Sequence, residues 1–283
     1  MSAKTAVLSD IHGNSPALRA VLDHVRREGC ERIIVLGDVV NGVDPGGCLD
    51  LLAGRGDIIF VKGNAEFHLL TPDLNAFPLR EESLYTWYIP LVEWWRQRVP
   101  DAHLDMLRAM HERVVIDGAC FVHDDPIARY SSESRAVEGL DAKYWELCYH
   151  AGGIREADVE ERRDELLGFM EARGLSRLFF GHTHEPYLLT VAGKLICNVG
   201  SVGVPLDGDT RPSWAMCELG EGSAAEVELR RTEYDVSEML RKIDALDPGC
   251  ALFYDGRTKE TYREMFRTGI HWKVHARRKQ ERA

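Results

Sequence analysis

The chain has 283 residues, with 46 Asp and Glu against 35 Lys and Arg, and a formal net charge of −11. That surplus of acid disfavours a protein that lives on nucleic-acid backbones, where affinity rests on Lys and Arg neutralising phosphates. With 45% hydrophobic and 29% charged residues the chain reads as globular, neither disordered nor fibrous, and long enough to bury roughly 75% of its unfolded surface without disulfide staples.

Taken in chain order, short runs rich in Val, Ile, Leu and Phe recur at residues 5–8, 32–36, 58–61, 119–122, 178–180 and 195–199. Their continuous apolar character predicts strands buried on both faces. Between the first two, Leu18, Val21, Leu22 and Val25 follow an i, i+3, i+4, i+7 spacing, so a helix is expected there. Ser15 is its expected N-cap, Pro16 its first turn and Gly29 its stop. Strand, helix, strand implies a βαβ unit and a mainly parallel sheet. Residues 50–52 should belong to a second such helix.

Two stretches interrupt the pattern. Residues 67–116 carry Trp87, Tyr88, Trp94 and Trp95 and then a helical run with Leu104, Leu107 and Met110; residues 124–175 are polar, with a charged helix around 158–173. Later segments at 214–219 and 225–230 alternate like antiparallel strands, and the tail 271–283 is basic, with Arg277, Arg278 and Lys279 read as a solvated face. One domain spanning residues 1–283, with a helical cap insertion at 67–116 and a second insertion at 124–175, is the simplest organisation. The seven cysteines (Cys30, Cys48, Cys120, Cys148, Cys197, Cys217 and Cys250) are scattered and odd in number, which reads as free thiols in a reducing compartment. The stretch MSAKTAVLSDIHGN is too weakly apolar for a signal peptide and no apolar run reaches about 18 residues, so a cytoplasmic location is expected.

The informative residues follow the strands. The first run ends in Asp10-Ile11-His12-Gly13-Asn14, the second in Gly37-Asp38, the third in Gly63-Asn64, the fourth in His123-Asp124 and the fifth in Gly181-His182-Thr183-His184. In an open α/β sheet the carboxyl ends of the strands form the ligand crevice, so these groups should converge on one edge. Two Asp, one Asn and four His form a mixed oxygen and nitrogen set that suits divalent first-row metals better than Mg or Ca. Manganese is the first expectation, with Fe, Zn, Co or Ni as alternatives. Seven ligands exceed the needs of one ion that keeps an open position and suit two ions sharing a carboxylate.

The ordered set DxH, GD, GN, H and GHxH resembles the calcineurin-like metallophosphoesterase superfamily. The match covers residues 10–184, with Asn198-Val199-Gly200-Ser201 also fitting, about two-thirds of the chain. The resemblance implies a four-layer αββα sandwich with two packed mixed β-sheets. It implies that Asp10, His12 and His184 bind one divalent ion, that Asn64, His123 and His182 bind the second, and that Asp38 bridges. It also implies a metal-bridging hydroxide as nucleophile, with Asp38, Asn64 and His182 at the reacting phosphate.

One position departs from the family. Many members place a histidine after the GN, which stabilises the transition state or protonates the leaving group; here the residue is Ala65. The chain is similar in this to a stand-alone bacterial, phosphodiesterase-like branch that also lacks the histidine. Either the leaving group needs little protonation or Glu66 or His68 steps in. Arg129, Tyr130 and Ser201 are further candidates for substrate contact, with Gly200 and Ser201 allowing a tight backbone approach that supplies N–H groups to phosphate. The other histidines, His24, His103, His111, His150, His271 and His275, are expected to be surface or capping residues. The aromatic cluster of the first insertion either packs the cap on the body or stacks a nucleobase, and both can hold at once.

The expected function is hydrolysis of a small phosphodiester or phosphoanhydride, with a nucleotide such as a dinucleoside polyphosphate first in line. No stable nucleic-acid or membrane partner is expected, and the oligomeric state is not legible. A phosphomonoesterase or Ser/Thr protein phosphatase would need an open groove. A non-catalytic scaffold should have lost ligands. A dinucleotide-dependent oxidoreductase would need a GxGxxG after the first strand, which the sequence lacks.

Overall fold

A computed structural model describes residues 2–72, 82–127, 153–220, 226–254 and 257–273, with side chains of 82–85 left aside. Among the described residues ten strands form two five-stranded mixed sheets. In the first, β1 (Ala3–Leu8), β2 (Arg32–Val35) and β3 (Ile58–Phe60) are parallel, and β9 (Ser213–Leu219) and β10 (Val227–Arg231) extend the β1 edge antiparallel, in the order β10-β9-β1-β2-β3. In the second, β5 (Ala119–Phe121), β6 (Arg177–Phe180) and β8 (Lys194–Asn198) are parallel. Antiparallel β4 (Val114–Ile116) and β7 (Tyr187–Val191) close its two edges, in the order β4-β5-β6-β8-β7.

Strand alternation sorts the core into three layers. Val7, Ile34 and Leu36 of the first sheet meet Phe121, Phe179, Cys197 and Val199 of the second in one cluster between the sheets. The alternate residues Ala6, Leu8, Ile33 and Val35 face outward into a second cluster. It is shared with helices α1 (Ser15–Arg27), α2 (Pro45–Leu52), α4 (Glu82–Arg96), α5 (Leu104–Ala109), α8 (Val236–Asp244) and α9 (Lys259–Thr268). On the far side Cys120, Val122, Leu178, Phe180 and Ile196 pack under α6 (Glu156–Glu161) and α7 (Arg163–Glu171). The result is the four-layer αββα sandwich, and burial on both faces is why the parallel strands read as continuous apolar runs.

The predicted strands and the first helix stand within one or two residues of their expected ends. The N-cap differs: Asn14, not Ser15, caps α1, its side-chain oxygen accepting the Ala17 N–H at 3.1 Å. Ser15 is already helical and its hydroxyl bonds to Asp44 at 2.5 Å. The charged run near 158–173 divides into α6 and α7, and β4 and β7 carry no strong strand signal because each lies at a sheet edge, with exposed Val115 in β4 and Leu188 in β7. Six cysteines are free thiols, and Cys148 lies outside the described residues, as do His150, His275, Arg277, Arg278 and Lys279. No helix among the described residues is long and apolar enough to cross a membrane.

Phe121 and Phe179 stack at 4.9 Å between the sheets, one strand residue away from the loops that carry His123 and His182. Phe179→Ala should therefore cost about 3–5 kcal/mol of stability through the cavity it leaves. Urea denaturation would show a lowered midpoint with an unchanged slope; a midpoint equal to wild type would rule out this packing.

Candidate metal centre and its cavity

All seven expected ligands lie at carboxyl ends of strands, and the two sheets bring those ends together. Asp10 and His12 follow β1, Asp38 follows β2, Asn64 opens α3 (Asn64–Leu70) after β3, His123 follows β5, and His182 and His184 follow β6. Two glycines explain the recurring motif. A Cβ on Gly63 would sit 2.4 Å from the Asp38 carboxylate, and one on Gly181 would sit 2.3 Å from that of Asp10. Only glycine lets these backbones approach the acids.

The backbone is strained at the same place. Among the described residues seven non-glycine positions have positive φ, and five of them are Asp10, His12, Asp38, His182 and His184. Such conformations cost of order 1–3 kcal/mol each and persist where surrounding structure over-determines them.

Asp10 is fully buried. Its Oδ2 accepts the His182 backbone N–H at 2.8 Å, which ties the second sheet to the first. Its Oδ1 lies 3.3 Å from His184 Nε2 and 3.5 Å from His12 Nε2. The two oxygens of Asp38 face opposite ways: Oδ1 lies 3.6 Å from His123 Nε2, and Oδ2 lies 3.7 Å from His12 Nε2. His123 Nε2 is 3.0 Å from the Asn64 amide oxygen and 3.2 Å from His182 Nδ1.

Three observations fit a divalent metal. Asp10 Oδ1 and His12 Nε2 are buried with no hydrogen-bond partner, although buried polar atoms are normally paired. His123 Nδ1 donates to the Leu36 carbonyl at 2.8 Å and His184 Nδ1 to that of Val204 at 2.6 Å. Each therefore turns Nε2 inward, the arrangement that orients metal-binding histidines. The electrostatics also ask for positive charge. Burial raises the Asp38 carboxyl to about 7 against the pull of His123, with Glu66 and Asp10 adding to the rise. Burial opposes charge on His123 as well, yet Asp38 and Asp10 lift it to about 9. A proton there stands in for a cation. Ligand atoms of Asp10, His12 and His184, and those of Asp10, Asp38 and His123, each lie close enough together to hold an ion.

The substrate candidates fare differently. Glu66 is fully buried and contacts no substrate space. Its Oε2 accepts N–H bonds from Asp38 at 2.8 Å and Gly63 at 2.9 Å, and its Oε1 accepts from Val39 at 2.7 Å and Val40 at 3.1 Å. Glu66 is thus a clamp between the β2 and β3 loops, not a proton donor. His68 is also buried, pairs with the Tyr88 hydroxyl, and burial lowers its imidazole to about 3, so it stays neutral. Ser201 donates to the Asp10 carbonyl at 2.7 Å and accepts the Val204 N–H at 2.8 Å, and the Gly200 N–H is taken by Asn198 Oδ1 at 2.9 Å. None of these groups is free for phosphate. Each is polar at a motif, which is why sequence alone assigned it to the ligand. Arg129 and Tyr130 lie outside the described residues.

A cavity of about 370 Å³ opens over the ligands, with His12, Asp38, Asn64, His182 and His184 on its floor. Ala65 lies beside them and donates its N–H to Asp38 at 2.8 Å. Helix α4 forms one wall. Trp94 and Trp95 bury into the core while Trp87 stacks on Tyr254 at 4.3 Å, so the aromatic cluster both packs and lines. Arg96 of α4 fastens the helix to the end of α3 through the carbonyls of Leu69 and His68, at 2.7 and 3.1 Å. A second part of the wall comes from Tyr254 and residues 257–272, including Arg257, Tyr262, His271 and Trp272, and meets α4 where Trp87 stacks on Tyr254. Sequence reasoning missed this wall and expected His271 as a surface or capping residue, where the structure has it half-buried in the cavity wall; no motif marks these residues, and only the amphipathic spacing of α9 hints that the segment packs.

Glu66→Ala would leave four buried N–H groups without an acceptor. It should cost about 3 kcal/mol or more and weaken divalent-metal binding roughly 10- to 100-fold. Metal titration of the folded variant checks this, and wild-type affinity would show that Glu66 does not hold Asp38 and Asn64 in place.

The profile of the calcineurin-like phosphoesterase superfamily domain matches residues 4–222. An uncharacterized protein of Methanocaldococcus jannaschii is 24% identical over 258 residues, 84% of this chain and 90% of that protein. Among solved structures, a metallophosphoesterase from Sphaerobacter thermophilus superposes with a TM-score of 0.62 at 23% identity, covering 94% of this chain and all of that one. A hypothetical protein from Pyrococcus horikoshii gives 0.58 at 14% identity, covering 89% and 98%. With strand-end carboxylates and imidazoles gathered as that family requires, the chain belongs to the calcineurin-like phosphoesterase superfamily and is a metal-dependent phosphoesterase.

Proposed function

We propose that the chain is one domain that hydrolyses a small phosphodiester or phosphoanhydride of the nucleotide class at a two-metal centre. Asp10, His12 and His184 would hold one ion, Asn64, His123 and His182 would hold the other, and Asp38 would be shared between them. The opposed orientation of the two Asp38 oxygens supports the bridge. Ions so held would polarise phosphoryl oxygens and lower the pKa of water towards about 7. The mixed donor set accepts Mn first, with Fe, Zn, Co or Ni as alternatives.

The observation that carries the substrate class is the cavity, whose floor is the ligand cluster and whose wall is the stacked Trp87 and Tyr254. Its volume suits a small molecule, and an aromatic wall suits a nucleobase at about 1–3 kcal/mol per stacked ring. His182, which lines the cavity floor, would stabilise charge on the phosphoryl oxygens. Ala65 adds space but no proton, which favours leaving groups that depart without one, such as a phosphate. A walled cavity disfavours a protein substrate, and hence a Ser/Thr protein phosphatase.

Chelation should abolish hydrolysis and Mn should restore it, with metal analysis giving about two ions per active chain. Asp38→Asn should lower turnover at least 100-fold. Faster cleavage of bis-nitrophenyl phosphate than of the monoester is expected; the reverse preference would replace this reading with a phosphomonoesterase.

Trp87→Ala should raise KM for a dinucleoside polyphosphate about 10-fold, and far less for glycerol phosphate. Equal effects on both would exclude base stacking at this wall.

A further inference from the structure

Arg257 lines the cavity in a segment beyond residues 4–222, the extent of the family domain. Its guanidinium carbon lies 4.2 Å from the Tyr262 ring centroid and 5.4 Å from that of Tyr254, and its Nη1 donates to the Tyr254 hydroxyl at 3.3 Å. Its Nε is buried with no hydrogen-bond partner. Among the described residues no carboxylate forms an ion pair with it, although the chain carries 46 acids. The residue as a whole is half-buried; a guanidinium never gives up its charge in a protein, and a charge partly taken out of water gains from an anionic partner. His271, also in the cavity wall, adds no second positive charge: burial, with Lys273, Arg257 and His184 nearby, lowers it to about 4 and keeps it neutral.

We infer that Arg257 is the counter-charge for a second anionic group of the substrate, so that the cavity selects phosphate compounds carrying at least two charged groups, one at the ligand cluster and one at Arg257. The inference rests on the phosphoesterase reading of the same cavity and narrows it. With Nε buried and Nη1 holding Tyr254, the donors left for an oxyanion are the remaining Nη N–H groups, which still offer the charge-assisted hydrogen bonds by which Arg binds phosphate. Within the nucleotide class this favours phosphoanhydrides over simple diesters, whose only charge is the one at the metals.

The test compares a dinucleoside polyphosphate with bis-nitrophenyl phosphate, which has a single negative charge, in wild type, Arg257→Gln and Arg257→Lys. The ratio of their kcat/KM values should fall about 10- to 100-fold in Arg257→Gln and by less in Arg257→Lys, which keeps the charge and loses the fork. Should the Gln variant fail to fold, the ratio in the Lys variant decides, with a drop of several-fold expected. A ratio equal to wild type in the folded variants overturns the inference. Calorimetry with inorganic pyrophosphate on the metal-loaded proteins needs no turnover. Arg257-dependent binding of pyrophosphate by a wild type that hydrolyses no phosphate compound would refute the reading of the reaction and leave the subsite standing. Hydrolysis with an unchanged ratio would do the reverse.

Discussion

The hydrogen bond from the His182 backbone amide to Asp10 Oδ2 is the constraint on which the metal-binding edge depends. It crosses from the second sheet to the first at the point where both end. The same aspartate takes the Ser201 hydroxyl and the Gly203 amide on its carbonyl and donates its own amide to Gly37. With one carboxylate oxygen spent on joining the sheets, only Oδ1 is left to face His12 and His184. The protein therefore fixes which atom of Asp10 is offered to a cation, and the left-handed backbone at Asp10, His12, His182 and His184 is tolerated because these bonds allow no other path.

Glu66 plays the corresponding part on the other side. Four amide donors converge on one carboxylate, and they belong to the two loops that present Asp38 and Asn64. A carboxylate accepting several backbone N–H bonds is a strong anchor in a low-dielectric interior. Asp10 and Glu66 together hold the two halves of the ligand set from opposite sides, so the cluster is assembled by the fold before any ion arrives. The repulsion between the buried carboxylates and the lifted His123 are the electrostatic trace of that preassembly.

Above the edge, the cavity wall draws on the family's matched domain, residues 4–222, and on chain beyond it. Helix α4, within that domain, and Tyr254 with residues 257–272, beyond it, line the space over the ligands, and they contribute rings and one cation where the floor contributes acids and imidazoles. This division explains how an acidic chain can seek phosphate: the attraction is local and enclosed, and the acidic exterior still disfavours long polyanions.

The sequence by itself determined the strands other than the edge strands β4 and β7, the order of the ligand-bearing motifs and the edge on which they meet. Apolar runs buried on both faces are visible as runs, and chain topology then sends every strand-end residue to the same side. It also carried the family, because the motif set is local in each part. What only the tertiary structure decided is which polar residues serve the ligand and which serve the scaffold. Glu66, His68 and Ser201 have the composition of substrate contacts, and their partners, such as Asp38 N for Glu66 and the Asp10 carbonyl for Ser201, lie on other strands. The wall formed by Tyr254, Arg257 and Trp272 was equally hidden. A cavity wall needs no periodicity or motif; it arises from where α9 packs, and that no carboxylate among the described residues pairs with Arg257 can be seen only once its neighbours in space are known.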